Sequence, residues 1–303
     1  MKKEKINRSP LFYVGDKYKL IKEIRQYFPS TINRFFEPFV GGGSVFLNVD
    51  ANKYFLNDID RHVIELHKFL CSYINRENDF FELISSIIKK YNLSFSFKED
   101  IVPNELKLKY KKTYYAHFNR NGFKELKNDY NNAKDKNLAK LYILLIYGFN
   151  RMLRFNSLDE YNLPVGNVDF NKNVYNALHN YFIINKHNEI NWSNLDFKEY
   201  INSIKWKKDD FVYLDPPYLI TFSEYNKYWN IHLEKELLST LDKLNDKNVN
   251  FAISNVVNYK GKINDVFFNW AEKYNKYTIT SNYINYHDNS IKNFTEVLVT
   301  NYK

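Results

Sequence analysis

The chain has 303 residues, enough for one large α/β domain or for one domain carrying a sizeable insertion. Its 44% hydrophobic and 18% aromatic residues, with only 8 Gly and 7 Pro, exclude a disordered or linker-rich protein. The single cysteine, Cys71, excludes an internal disulfide and a cysteine-based zinc site, while the net charge of +9 suits a polyanionic partner or simply an AT-rich coding sequence.

In chain order, the basic start Met1-Lys2-Lys3-Glu4-Lys5 is followed by no apolar leader. The first strand is expected at Arg34-Phe35-Phe36-Glu37-Pro38-Phe39-Val40, a helix start from Ser44 to Val49, and a second strand at Tyr54-Phe55-Leu56-Asn57 ending at Asp58. From about Arg61 to Tyr147 apolar residues recur at helical spacing, as in Val63, Ile64, Leu66, Leu70, then Phe80, Leu83, Ile84, Ile87, then Leu138, Leu141, Leu145. Strand signals return at Phe211-Val212-Tyr213-Leu214, Val249 to Ile253, Tyr277 to Thr280 and Glu296 to Thr300. The alternation at both ends predicts a mostly parallel sheet covered by helices, with a helical insertion in the middle. The longest oily run, Leu141 to Ile146, is too short to span a bilayer, so a cytoplasmic protein without membrane insertion is expected.

Two loops carry candidate chemistry. Gly41-Gly42-Gly43-Ser44 follows the first strand, where missing side chains let a ligand approach the backbone; Asp58, at the end of the second, could hold two ribose hydroxyls. A tight turn and a helix cap would use the same residues. The run lacks the third glycine of the dinucleotide fingerprint, which disfavours a pyrophosphate ligand.

The second loop is Asp215-Pro216-Pro217-Tyr218, directly after the apolar strand Phe211 to Leu214. Consecutive prolines have fixed φ and no N–H, so they hold carbonyl acceptors in place. An aromatic amine such as the N6 amino group of adenine has its lone pair delocalised into the ring. If the Asp215 carboxylate and the Pro216 carbonyl each accept one of its hydrogens, the nitrogen moves toward tetrahedral geometry and can attack a methyl sulfonium. Tyr218 offers a flat face on which an extruded base can stack. A plain Pro-Pro turn with an aspartate is the bland alternative.

Together these residues resemble the Dam-type adenine-N6 DNA methyltransferases of bacteria and phages, over nearly the whole chain and with the motifs in the family's order. Tyr13-Val14-Gly15-Asp16-Lys17 resembles the N-terminal cofactor motif, in which an aromatic and the lysine touch the cofactor; Glu37 to Gly43 resembles the first-strand motif, Asp58 the ribose acid and Asp215 to Tyr218 the catalytic loop. Leu195-Asp196-Phe197 resembles the motif lining the cofactor's adenine, and Leu219 to Trp229 the phage members' sequence after the catalytic tetrapeptide, with Tyr225 holding the flipped nucleotide.

Tyr147 to Asn156, closing with Tyr161-Asn162-Leu163-Pro164-Val165-Gly166, resembles the target-reading hairpin. There Arg151 and Arg154 suit guanine edges or phosphates, Asn150 and Asn156 suit adenine, and Met152 suits a thymine methyl.

The resemblance implies a Rossmann-like methyltransferase sheet of about seven strands with a small helical target-recognition domain inserted into it. Residues 1–60 and 168–303 would form the catalytic part, 61–167 the recognition domain, and about 148–166 its hairpin. S-adenosylmethionine is the implied cofactor, bound by Tyr13, Lys17, Phe39, Gly41, Gly43, Ser44, Asp58, Asp196, Phe197 and Asp215. Double-stranded DNA is the implied partner, a cognate restriction endonuclease can accompany it, and the reaction needs no metal.

Two departures stand out. Asn167-Val168 follow the Pro-x-Gly where members reading GATC usually carry basic residues, so the site is expected to differ from GATC at its outer base; and Asp16 replaces the usual Gly or Asn. Competing readings are methylation of RNA adenine or a glutamine amide, a nicotinamide oxidoreductase, and a DNA-binding relative that has lost its chemistry.

Overall fold

The computed structural model describes residues 6–99, 101–221, 228–279 and 294–303. The chain forms two compact units: the first comprises Met1–Asp16, Gly41–Leu47 and Asp60–His187, and the second Lys17–Val40, Asn48–Ile59 and Asn188–Lys303.

The second unit is built on an eight-stranded sheet: β1 (Arg34–Glu37), β2 (Lys53–Asn57), β3 (Glu189–Ser193), β4 (Asp210–Leu214), β5 (Asn250–Tyr259), β6 (Lys262–Ile263), β7 (Asn275–Ile279) and β8 (Phe294–Thr300). The order is β3-β2-β1-β4-β5-β8-β7, with β6 paired to β5. Pairs from β3 through β5 are parallel, and β8 pairs antiparallel with both β5 and β7. This is the mostly parallel α/β sheet expected of a Rossmann-like methyltransferase fold.

Register between β1 and β4 is fixed electrostatically as well as by the ladder. Arg34 lies opposite Asp210, and its guanidinium donates from Nε at 2.7 Å and Nη2 at 2.5 Å to the two carboxylate oxygens of that aspartate, which is 1% exposed. Phe36, Val212, Leu214, Phe251, Ile253 and Val299 on the strands meet Leu237, Leu241 and Leu244 of α9 (Ile231–Asp246) and Phe267 and Trp270 of α10 (Asp265–Ala271) in one apolar core. Short helices α1 (Ile21–Ile24) and α8 (Phe197–Ser203) complete this unit.

The first unit is helical: α2 (Arg61–Cys71), α3 (Glu77–Lys90), α4 (Asn104–Tyr110), α5 (Tyr114–Asn132), α6 (Leu138–Tyr147) and α7 (Lys172–Asn185). Its centre is α6, in which Leu141 through Tyr147 are all 0% exposed. A helix apolar on every side must be surrounded, and Phe80 on α3, Phe123 on α5 and Phe182 on α7 are buried in the same unit.

Several boundaries differ from the sequence expectations. β1 stops at Glu37 because Pro38 has no N–H to extend the ladder, and the Val40 N–H turns instead to the Asn57 carbonyl at 2.9 Å. The helix expected from Ser44 is only a 3-10 turn, Phe46–Asn48. The edge strand β3 and helix α7 had not been singled out, β4 begins one residue early, and β7 covers Asn275–Ile279, with Thr280 outside the described residues. No helix among the described residues is long and apolar enough to cross a membrane.

Candidate active site

In a doubly wound sheet the crevice opens where successive strands depart in opposite directions. Here that point lies between β1 and β4, since β2 and β3 are added on one side of β1 and β4 on the other. The segments leaving the carboxyl ends of these two strands are Pro38-Phe39 and Asp215-Pro216-Pro217-Tyr218.

Asp215 sits in a buried polar cluster. The Lys17 ammonium lies 2.7 Å from its Oδ1 and 3.6 Å from Oε1 of Glu296 on β8; the lysine side chain is 4% exposed and the glutamate 1%. Lys17 also donates to the Tyr218 hydroxyl at 2.6 Å. That hydroxyl donates toward Asp215 Oδ1 at 2.9 Å and Glu296 Oε1 at 3.1 Å. Lysine and tyrosine therefore converge on one oxygen of Asp215. Burial, reinforced by Asp215 and Glu296, pushes the Tyr218 phenol well above its ordinary range, so it stays protonated. Burial also raises the Glu296 carboxyl, and Lys17 only partly opposes this. Beneath the cluster, Tyr213 on β4 and Ser254 on β5 share a hydrogen bond of 2.9 Å.

A second set of side chains lies along the same sheet edge. Phe39 and Phe197 have ring centroids 5.5 Å apart, and Trp229 packs on both at 5.9 and 5.7 Å. Trp229 is itself held by donating at 2.6 Å to the buried Glu234, which also accepts from Asn255 and Asn264. Asn57, fully buried at the end of β2, donates to the Pro38 carbonyl at 3.1 Å and to the Leu195 carbonyl at 2.9 Å, and accepts the Leu195 N–H at 3.0 Å. It thereby fixes the loops after β1 and β3. Asn194 donates to the carbonyls of Asp58 and Ile59, while Asp196 caps α8 by accepting the Lys198 N–H.

In the first unit, the glycine loop is shaped by close approach. A Cβ on Gly42 would stand 2.6 Å from that of Tyr13, and Gly43, at φ +78°, would drive one to 2.3 Å from the Phe46 ring. The Ser9 hydroxyl donates to the Gly42 carbonyl, and His67 bonds the Gly41 carbonyl through Nε2 at 2.9 Å. Complete burial pushes the His67 imidazole down to about 4, so near neutrality it is an uncharged donor. Ser44 is buried in the same loop.

The 148–166 excursion is closed by a Gly148–Val165 bridge, with the Gly166 N–H donating to the Tyr147 carbonyl at 2.7 Å. Asn150 and Arg151, at its turn, have φ of +54° and +51°. The Arg151 guanidinium stacks 4.2 Å from the Phe12 ring centroid, and the exposed Arg8 guanidinium lies 4.6 Å from the same ring. Burial and the proximity of Arg8 lower the Arg151 pKa. Arg154 donates to Asn162 at 2.8 Å, and Asn156 is engaged in its own turn through the N–H groups of Leu158 and Glu160. Met152 is half-buried, and Asn150 is exposed.

The sequence reading did not single out Glu296, Asn57, Glu234 or Trp229. A carboxylate opening the apolar run Glu296-Val297-Leu298-Val299 was a legible anomaly, because a buried charge needs partners. Tyr225 lies outside the described residues. Among the described residues no group of three or more His, Cys, Asp or Glu could hold a metal ion.

Comparison with known proteins agrees with this geometry. Residues 13–298 match the family described as D12 class N6 adenine-specific DNA methyltransferase. The chain is 35% identical to the type II methyltransferase M.FokI of Planomicrobium okeanokoites, over 97% of this chain and 43% of that protein. It is 32% identical to the modification methylase StsI of Streptococcus sanguinis, over 99% of this chain and 44% of that protein. A DNA adenine methylase of Salmonella typhi is 28% identical over 71% of this chain and 66% of its own length. The chain thus spans less than half the length of the first two relatives. By its sequence and by its sheet alike, it belongs to the D12 class of N6 adenine-specific DNA methyltransferases.

Proposed function

We propose that this chain transfers a methyl group from S-adenosylmethionine to the N6 of an adenine extruded from a short duplex DNA site. The observation that carries the proposal is the set of Asp215, whose Oδ1 is engaged by Lys17 and Tyr218; in our reading its other oxygen and the Pro216 carbonyl are the two acceptors for one amino group. With both hydrogens held, the N6 lone pair leaves conjugation and attacks the methyl carbon. The nitrogen then gives one proton to Asp215 or to water.

Tyr218 is tethered by its hydroxyl, which fixes its ring for stacking on the base, and Pro217 keeps the loop stiff. Because the hydroxyl lies among acidic groups and stays protonated, it adds no third negative charge beside Asp215 and Glu296.

The donor set suits an adenosyl sulfonium. Asp58 at the end of β2 supplies a carboxylate for ribose hydroxyls, Asp196 and Phe197 stand at the start of α8, and Phe39, Phe197 and Trp229 form an aromatic set for a purine. Lys17 and Asp215 complete this group, and Tyr13, Gly41, Gly43 and Ser44 keep the cofactor role that the family's motifs give them. When bound, the cofactor supplies the methyl group and a thioether leaving group. Protein carboxylates and carbonyls orient the amine.

Charge supports a DNA substrate. The first unit holds 24 Lys and Arg against 16 Asp and Glu, whereas the second holds 20 against 19, so nearly all the net positive charge belongs to the helical unit. We assign DNA contact to Asn150, Arg151, Met152, Arg154 and Asn156 within a recognition domain at 61–167, to Tyr225, and methyl transfer to 1–60 and 168–303. We keep a cognate restriction endonuclease as a further partner of this reading, in line with a relative named a modification methylase. Incubating the protein with methyl-labelled S-adenosylmethionine and mixed-sequence duplex DNA should place label in N6-methyladenine. Label in cytosine or in protein would overturn the assignment, and complete modification of GATC would refute a divergent outer base.

A further inference from the structure

We propose that Glu296 is a positioning residue that sets the hydrogen-bonding state of Asp215 through the Tyr218 hydroxyl. This inference rests on the methyltransferase reading above. Glu296 lies on β8 opposite Val256 of β5 and Ile279 of β7, so it comes from a strand separated by β5 from β4, which leads into the catalytic loop.

Lys17 donates to the Tyr218 oxygen at 2.6 Å, so the phenolic proton must point elsewhere. One proton then faces two acceptors at nearly equal distance, Asp215 Oδ1 at 2.9 Å and Glu296 Oε1 at 3.1 Å. A charged Glu296 draws that proton and leaves Asp215 with its charge available to the substrate amine. A neutral Glu296 releases it to Asp215, whose remaining oxygen becomes a weaker acceptor and a weaker base. Glu296 becomes neutral by taking one proton from solvent, and the Tyr218 O–H then turns from Glu296 to Asp215 without itself being transferred.

Among the described residues the charged and titratable groups around Glu296 are Lys17 ahead of α1, and Asp215 and Tyr218 in the loop after β4; Tyr213 on β4 lies within its electrostatic reach. Burial and the Asp215 charge both raise the Glu296 carboxyl toward neutrality, and Lys17 opposes them. The switch therefore lies above the ordinary glutamate value, and methyl transfer should weaken as pH drops through it.

The test is a double-mutant cycle in single-turnover methyl transfer on duplex DNA, run from pH 5 to 9. Glu296→Gln, neutral at every pH, should transfer methyl about tenfold more slowly at pH 8, with KM for DNA unchanged and a flattened acid limb. In a Tyr218→Phe background, the same substitution should have little further effect, because the hydroxyl that couples the two carboxylates is gone. Additive losses, or a Glu296→Gln enzyme with the native rate and pH profile, would overturn the role. If Glu296→Gln does not fold, Glu296→Asp decides: it keeps the charge, so it must retain an acid limb while losing rate, and a native rate overturns the inference. A wild-type protein that methylates no DNA would instead sink the proposed function and this role with it.

Discussion

Replacing Lys17 by Met removes the ammonium that, among the described residues, lies between two carboxylates and a phenol, while keeping a chain of similar length. Its side chain is 4% exposed and that of Glu296 1%, so water cannot replace the lost charge without rearranging the sheet edge. Breaking a buried pair by deleting one partner costs about 3–5 kcal/mol. That is a large share of the roughly 5–15 kcal/mol that ordinary domains have in total. Urea denaturation of the full chain should show the variant's midpoint lowered by about 1 M or more at pH 8, given slopes of about 1–3 kcal/mol per M.

The sign of its pH dependence follows from Glu296. Its folded-state pKa already lies above the ordinary 4.5 and rises further without the lysine, so the folded protein holds a proton that the unfolded chain releases. Stability of Lys17→Met is therefore lost progressively as pH rises through and above 4.5, and the deficit against wild type shrinks at pH 5. A midpoint change below about 0.3 M, or one equal at pH 5 and pH 8, would refute the picture of a buried, charge-compensated cluster.

Other expectations concern the helical unit. His67 has a pKa lowered from 6.5 to about 4, so the unfolded chain binds a proton between those values that the folded one does not. Stability should rise with pH across that window, by up to about 1.4 kcal/mol per unit, and His67→Gln should flatten the slope in urea titrations; an unchanged slope would contradict it. Arg8 and Arg151 share the Phe12 ring, which brings two guanidinium groups together in the more basic of the two units. Replacing both by Ala should lower the slope of log K for DNA against log salt by about 2, and an unaltered slope would remove them from the interface.

How much was legible in the sequence depends on the residue. The strands around β4, the helical middle and the site motifs show in local patterns, because parallel strands read as apolar runs and amphipathic helices as spaced ones. β3 was not legible: its sequence Glu189-Ile190-Asn191-Trp192-Ser193 is an edge, exposed or half-buried throughout, and lacks the apolar run. The Ser44 helix failed because the residues after the glycines pack into a short turn against the loop itself. Glu296 was invisible for a different reason. Its meaning arises only when β8 pairs beside β5 and brings it to Tyr218, a residue 78 positions earlier in the chain. Pairings of that separation leave no mark on either segment alone.

The most direct measurement concerns Asp215 itself. Purified wild type and Asp215→Ala should be compared for methyl incorporation into duplex DNA and, on the same preparations, for DNA binding at fixed salt. If the carboxylate and the Pro216 carbonyl localise the amine's electrons, the variant binds DNA about as well as wild type and incorporates no methyl group. Appreciable transfer by Asp215→Ala would show that the amine is activated elsewhere, and the mechanism would have to be abandoned.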